Sequence, residues 1–136
     1  MEYSLKIRKK EGRDEVFDHI RRKWLVLTPE ERVRQQLILY LLNVKQVPLT
    51  HISVERAITV NGLTRRYDLV VYGLDMKPQM VVECKAPEVK ITQEVVEQAG
   101  RYNKTLHAPV LGVTNGKEHF FFSIDFETEQ ITRLEF

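Results

Sequence analysis

Three charged residues occupy segments where charge is hard to keep. In Val81-Val82-Glu83-Cys84-Lys85-Ala86, apolar residues bracket Glu83 and Lys85, and in Tyr67-Asp68-Leu69-Val70-Val71, Asp68 heads a second apolar run. Ionised groups inside an apolar strand are costly unless they are paired or bind a metal. Glu83 and Lys85 are two residues apart and so share one face of a strand. If the two segments pair as antiparallel neighbours, both carboxylates and the ammonium converge. Such a set suits metal-assisted phosphodiester hydrolysis. Carboxylate oxygens hold Mg²⁺, a hard cation that keeps several waters and binds phosphate oxygen. A lysine beside it can orient or deprotonate the attacking water, or offset charge on the phosphorane. The same spacing also suits a buried Glu83–Lys85 or Asp68–Lys85 ion pair with no chemistry.

The elements that must position these residues are legible along the chain. Thr28-Pro29-Glu30-Glu31 predicts a helix start, with Thr28 as N-cap, Pro29 in the first helical position and Glu31 completing a capping box. Apolar residues recur at Val33, Leu37, Leu41 and Val44, widened by Ile38 and Leu42, to about residue 45, and Pro48 closes the segment. Residues 52–60 are rich in β-branched types, Asn61-Gly62 is a favoured tight-turn pair, and 65–73 read as the return strand. A third strand is expected over 79–85, a helix from Thr92 to about Leu106, and strands over 109–114, 118–126 and 130–135, with Asn115-Gly116 as a turn. The order α-β-β-β-α-β, with extra C-terminal strands, is that of an α/β (mixed α+β) domain with a central mixed sheet flanked by helices.

At 136 residues the chain fits one domain, large enough to bury a core without disulfides, and a single cysteine excludes a disulfide framework. A reduced, cytoplasmic setting is the expectation. The longest apolar stretches are a few residues, too short for a membrane-spanning helix, and Met1-Glu2 with its mixed-charge continuation is unlike a signal peptide. A net charge of +2 says little about partners. Residues 1–24 nevertheless carry eight basic groups against five acids. They read as a nucleic-acid-facing surface or, since acids interleave, as a solvated strand or arm. Residues 1–27 are thus an N-terminal extension to a core over 28–126.

An Asp on one strand followed by Glu-x-Lys on the next resembles the PD-(D/E)xK nuclease pattern, here Asp68, Glu83 and Lys85. The resemblance is closer to the N-terminal nuclease domain of type I restriction enzyme R subunits. It rests on Leu27-Thr28-Pro29-Glu30-Glu31-Arg32-Val33-Arg34-Gln35, Arg66-Tyr67-Asp68 and Val82-Glu83-Cys84-Lys85-Ala86-Pro87. It continues through Ile91-Thr92-Gln93, Gln98-Ala99-Gly100-Arg101-Tyr102-Asn103 and Val113-Thr114-Asn115-Gly116, an ordered set over most of residues 25–125.

The resemblance implies a restriction-endonuclease-like fold and a Mg²⁺-dependent endodeoxyribonuclease, with Mn²⁺ able to substitute, leaving a 5′-phosphate. Asp68 and Glu83 would hold the metal with the carbonyl of Cys84, and Lys85 would assist the water. Gln98 and Tyr102, one helical turn apart, would support the site and contact DNA; packing in the core is the bland alternative for Tyr102. The family often aims an acidic residue of the first helix at the metal. Glu31 is the candidate, with Gln35 one turn along, although the capping box alone explains a glutamate there and Glu30 competes. DNA, motor or specificity subunits of a restriction system, and a second copy of the chain are the implied partners. The alternative, from another class, is a catalytically silent nuclease-fold module that binds DNA or docks a subunit.

Departures and leftovers are few. The residue before Asp68 is Tyr67, so the Pro-Asp of the pattern is absent, and nothing in the sequence is a helicase motor. Gly112 to Glu118 is one residue short of a phosphate-binding loop and lacks Ser or Thr after the lysine. The four histidines have no ligand spacing, and the Cys84 side chain is expected as buried filler. Phe120-Phe121-Phe122 reads as an aromatic strand core with a potential edge or dimer contact, and Trp24 as a packing anchor ahead of the first helix.

Overall fold

The computed structural model describes residues 3–136, the side chain of Val60 excepted; Met1 and Glu2 of the expected extension lie outside them. Three short strands come first, β1 (Ile7–Lys10), β2 (Arg13–Asp18) and β3 (Lys23–Val26), paired antiparallel in chain order as a small sheet. The expected arm is therefore a folded element, turned at Glu11-Gly12, where both residues take positive φ.

Helix α1 (Pro29–Asn43) starts as expected, with the Thr28 hydroxyl accepting from the Glu31 N–H at 3.1 Å. The reciprocal half of the capping box is not made: the Thr28 N–H donates to the Val26 carbonyl, and the Glu31 side chain goes elsewhere. Val44, assigned to the apolar stripe, is instead the exposed C-cap.

The main sheet has six strands in chain order: β4 (Ile52–Val60), β5 (Leu63–Tyr72), β6 (Pro78–Cys84), β7 (Val110–Thr114), β8 (His119–Asp125) and β9 (Gln130–Leu134). Every pairing is antiparallel except β6 with β7, whose parallel register is bridged by helix α2 (Gln93–Leu106). Asn61 and Gly62 both take the positive φ that a two-residue hairpin turn demands. At the end of α2 the chain turns through His107 in the left-handed region. The buried Asn103 side chain clamps that turn by bonding both the carbonyl and the N–H of Ala108 at 2.9 Å.

The helices cover opposite faces. Leu37, Ile38 and Leu41 of α1 pack on Leu69, Val82, Cys84 and Phe121, while Ala99 and Leu106 of α2 pack on Tyr67, Val70, Val81 and Val113. The Phe120–Phe122 strand is interior, with β7 on one side and β9 on the other, so it offers no edge. Phe121 lies across Gly112 and stacks on Phe136 at 3.8 Å. Trp24 packs on Phe17 of the small sheet.

Candidate active site

The β5–β6 ladder runs from Tyr72–Pro78, across a bulge at Val71/Tyr72, to Leu69–Val82 and stops there, one step before Asp68 and Glu83 would face each other. Beyond that point the Cys84 N–H donates to the Asp68 carboxylate at 2.8 Å, so a side chain replaces backbone pairing. The face alternation of β5 breaks at the same place: Leu69 lies in the α1-side core, whereas Tyr67, two residues earlier, lies in the α2-side core. On the far side Glu55 of β4, bracketed by the Val54–Leu69 and Arg56–Tyr67 pairs and so opposite Asp68, takes a φ of 50° in mid-strand. A non-glycine residue held there stores strain of order 1–3 kcal/mol, the kind of outlier that gathers at functional sites. The sheet is thus split at Asp68. In extended backbone the N–H and carbonyl of one residue point the same way, so the Cys84 carbonyl also faces the split.

Asp68 and Glu83 come together at this split. Burial, then the Asp68 charge and a hydrogen bond with its carboxyl, push the Glu83 carboxyl up to about 8. Among the described residues Lys85 closes no ion pair with either acid. It acts on Glu83 and on Glu30 as a nearby positive charge, held by its N–H to the Thr114 carbonyl at 2.8 Å. The guanidinium that touches Asp68 belongs to Arg34, at 3.4 Å. The Cys84 thiol is fully buried, which drives its titration well above the usual thiol range, and it is inert filler as expected.

Helix α1 presents its acids differently from the expectation. Glu31 is buried and bound by Arg34 at 2.6 Å, Gln35 at 3.0 Å and Arg21 at 3.2 Å, so its carboxylate is consumed by an interior network. Glu30 is the helix-one acid under the influence of the site: burial first and Asp68 second raise its titration, with Arg34 and Lys85 opposing.

On the α2 side, Gln98 donates to the Tyr102 hydroxyl at 3.3 Å, and the buried Tyr67 hydroxyl donates to the Tyr102 carbonyl at 3.0 Å. Arg65 of β5 lies over the Tyr102 ring, 5.0 Å from its centre. Burial is the largest cause of the raised Tyr67 titration; the nearby Arg65 charge opposes it and the Glu83 charge adds to it.

Residues 29–135 match the family model described as "Type I restriction enzyme R protein N terminus". The chain belongs to that family. Among solved structures, this R-protein N-terminal domain is similar to a fragment described as an HsdR subunit of a type I restriction enzyme from Vibrio vulnificus YJ016, with 22% identity and a TM-score of 0.51. The match covers 79% of this chain but 23% of that one, so the domain spans about a quarter of that structure's length. No curated protein matches.

The domain's split suits a hard cation. Asp68 and Glu83 meet there, Glu83 raised first by burial and then by the Asp68 charge, and oxygen donors select Mg²⁺ or Mn²⁺ over softer ions. Among the described residues no three His, Cys, Asp or Glu side chains gather to hold an ion. A cation would therefore rest on Asp68 and Glu83, with the Cys84 carbonyl and water completing its shell. Arg34 and Arg65 are the two neighbours that residue spacing did not single out. Arg34 had a visible signal: with Glu31, Gln35 and Ile38 it occupies one face of α1 in 3- and 4-residue steps, polar residues beginning a stripe that continues apolar.

Proposed function

We propose that this domain hydrolyses phosphodiester bonds of DNA as a Mg²⁺-dependent endonuclease, with Mn²⁺ able to replace Mg²⁺. The observation that carries the reading is the Asp68–Glu83 pair at the split ladder, with Glu83 pushed up to about 8 and Lys85 beside it. Without a cation the pair relieves its repulsion by keeping a proton on Glu83, and a bound cation can take that proton's place. The cation, when bound, supplies Lewis-acid polarisation of the phosphate and eases deprotonation of the attacking water. Asp68 is held for its part by the Cys84 N–H and Arg34, so its oxygens are fixed before substrate arrives. Lys85, pinned at the end of β6, orients the water and offsets charge that grows on the phosphorane. Gln98, Tyr102 and Arg65, joined by the Gln98–Tyr102 hydrogen bond and the Arg65 contact with the Tyr102 ring, would position the phosphate from the α2 side. Family membership supports a place within a type I restriction system, with motor or specificity subunits delivering DNA; a second copy of the chain would cut the second strand.

The test is cleavage of supercoiled plasmid with Mg²⁺ or Mn²⁺, run beside Glu83→Ala. Nicking or linearisation that disappears in the variant supports the reading. Equal cleavage by both proteins contradicts it. No cleavage by either would favour the silent DNA-binding or docking module.

A further inference from the structure

The small sheet ahead of α1 has two unlike faces. Val16, on the inner face, is buried, while the alternate residues pair on the outer face as Lys10 with Arg13, Arg8 with Glu15 and Phe17 with Trp24. Lys6 extends the row, its carbonyl accepting from the Phe17 N–H at 2.9 Å. We propose that this outer face docks the phosphate backbone of duplex DNA, at a surface separate from the Asp68–Glu83 split. The proposal rests on DNA being the substrate, as in the reading above.

Charge is the first argument. Lys6, Arg8, Lys10 and Arg13 stand against Glu15 alone, a local excess above the +2 of the entire chain, and Glu15 is already met by Arg8 at 2.8 Å. Organisation is the second. The Arg8 guanidinium lies 4.3 Å from the centre of the Trp24 ring, and the Lys6 ammonium lies 4.9 Å from Phe17 and 5.7 Å from Trp24. Phe17 and Trp24 meet edge to face at 5.4 Å. The rings hold the cations against the sheet, which removes side-chain freedom that binding would otherwise have to remove. Cations at alternate residues of one strand are about 6.7 Å apart, a row facing a polyanion with a phosphate about every 3.4 Å per strand.

The occupant follows from what the face lacks. Val26 is the exposed large apolar side chain on it, too little for a lipid surface or a protein interface core. The aromatic faces are already covered by Lys6 and Arg8, so they are not free to stack on the splayed bases of a single strand. A backbone-reading contact to duplex remains. The face is also fixed relative to the split: Arg21, in the turn after β2, binds Asp18 at 2.6 Å, Glu55 at 3.1 Å and Glu31 at 3.2 Å, and Arg34 joins Glu31 to Asp68.

Trp24 is the chain's one tryptophan and reports the face directly. A duplex oligonucleotide is titrated into metal-free protein at several salt concentrations while Trp24 emission is followed. The expected result is an emission change that saturates and weakens steeply with salt. In Lys6→Ala/Arg8→Ala, affinity should fall roughly 10- to 100-fold at moderate salt, with the log–log salt slope reduced by about 2. Arg13→Glu, on an exposed turn flank, supplies the same comparison without disturbing the cation–ring packing, and anisotropy of a labelled duplex reads both variants. Unchanged affinity and slope in both variants, no duplex binding at low salt, or tighter binding of the single strand would each overturn the proposal. Because no metal or cleavage enters, failure of the nuclease reading shows separately, as duplex binding without plasmid cleavage.

Discussion

Two clusters of buried charge lie side by side in this domain, and they are built on opposite principles. In the cluster under α1, each acid has a guanidinium. Asp18, fully buried, is held ionised against the opposing effect of its burial by the backbone and side chain of Arg21, and Glu31 is bound by both Arg21 and Arg34. Arg34 in turn stays charged despite burial, because Glu31, Asp68 and Glu55 outweigh the loss of water. At the ladder split, Asp68 and Glu83 face each other and Lys85 stands off without closing an ion pair. Arg34 reaches Asp68 at 3.4 Å, but among the described residues Glu83 closes no ion pair, so the fold leaves this one acid without a cation of its own at the point where strand pairing stops. Satisfied charge is structure; uncompensated charge marks the place where something from outside completes the site.

Substitutions that break this contrast should have the largest effects. Lys85→Ala should lower plasmid cleavage by about 10²–10⁴-fold, the range for a lost proton-transfer or charge-offsetting group, with an unchanged circular dichroism spectrum; full activity would remove Lys85 from the chemistry. Arg34→Met should act on stability, costing about 3–5 kcal/mol in urea unfolding, because it removes the guanidinium shared by Glu31 and Asp68 and leaves the buried Glu31 to Arg21 alone. A loss below about 1 kcal/mol would mean that the α1 cluster is not held by Arg34.

Acidity sharpens the comparison. Glu83 binds its proton more tightly folded than unfolded, with a value of about 8 against an ordinary 4.5. Between those values the folded state carries the extra proton, so stability falls as pH rises through that window. Metal-free protein should lose on the order of 3 kcal/mol between about pH 5 and pH 8, and Glu83→Gln should flatten that slope and be the more stable protein at the alkaline end. Asp18 works the other way: its lowered titration contributes stability at neutral pH that is lost as pH falls below the ordinary carboxylate range. The smallest effect is expected for Tyr102→Phe, which removes the 3.3 Å contact from Gln98 and leaves the Tyr67 bond to the Tyr102 carbonyl. Cleavage should fall no more than about tenfold.

Local chemistry explains which parts of this were legible. Thr28-Pro29 at the helix start, Asn61-Gly62 at the hairpin and the β-branched runs of β4 to β7 each act through their own backbone preferences, and those elements lie where the sequence places them to within two or three residues. The convergence of Asp68 and Glu83 follows from antiparallel neighbours and a period of two. The small sheet was not legible because its strands are short and charged, with Val16 as their one fully buried apolar residue among those described. Glu31 was misplaced for a different reason. Its partners Arg21 and Arg34 come from separate elements, and a capping-box spacing looks the same whether the carboxylate turns back to Thr28 or inward to two arginines.

The central claim is that the Asp68–Glu83 pair is held for a divalent cation. Calorimetric titration of Mn²⁺ into wild-type protein and Glu83→Gln, in two buffers of different ionisation heat, tests it most directly. Wild type should bind Mn²⁺ and release a proton as it does so, since Glu83 must give up its own, and Glu83→Gln should lose both the binding and the proton. Equal Mn²⁺ affinity in the two proteins, or binding without proton release near neutral pH, would contradict the account.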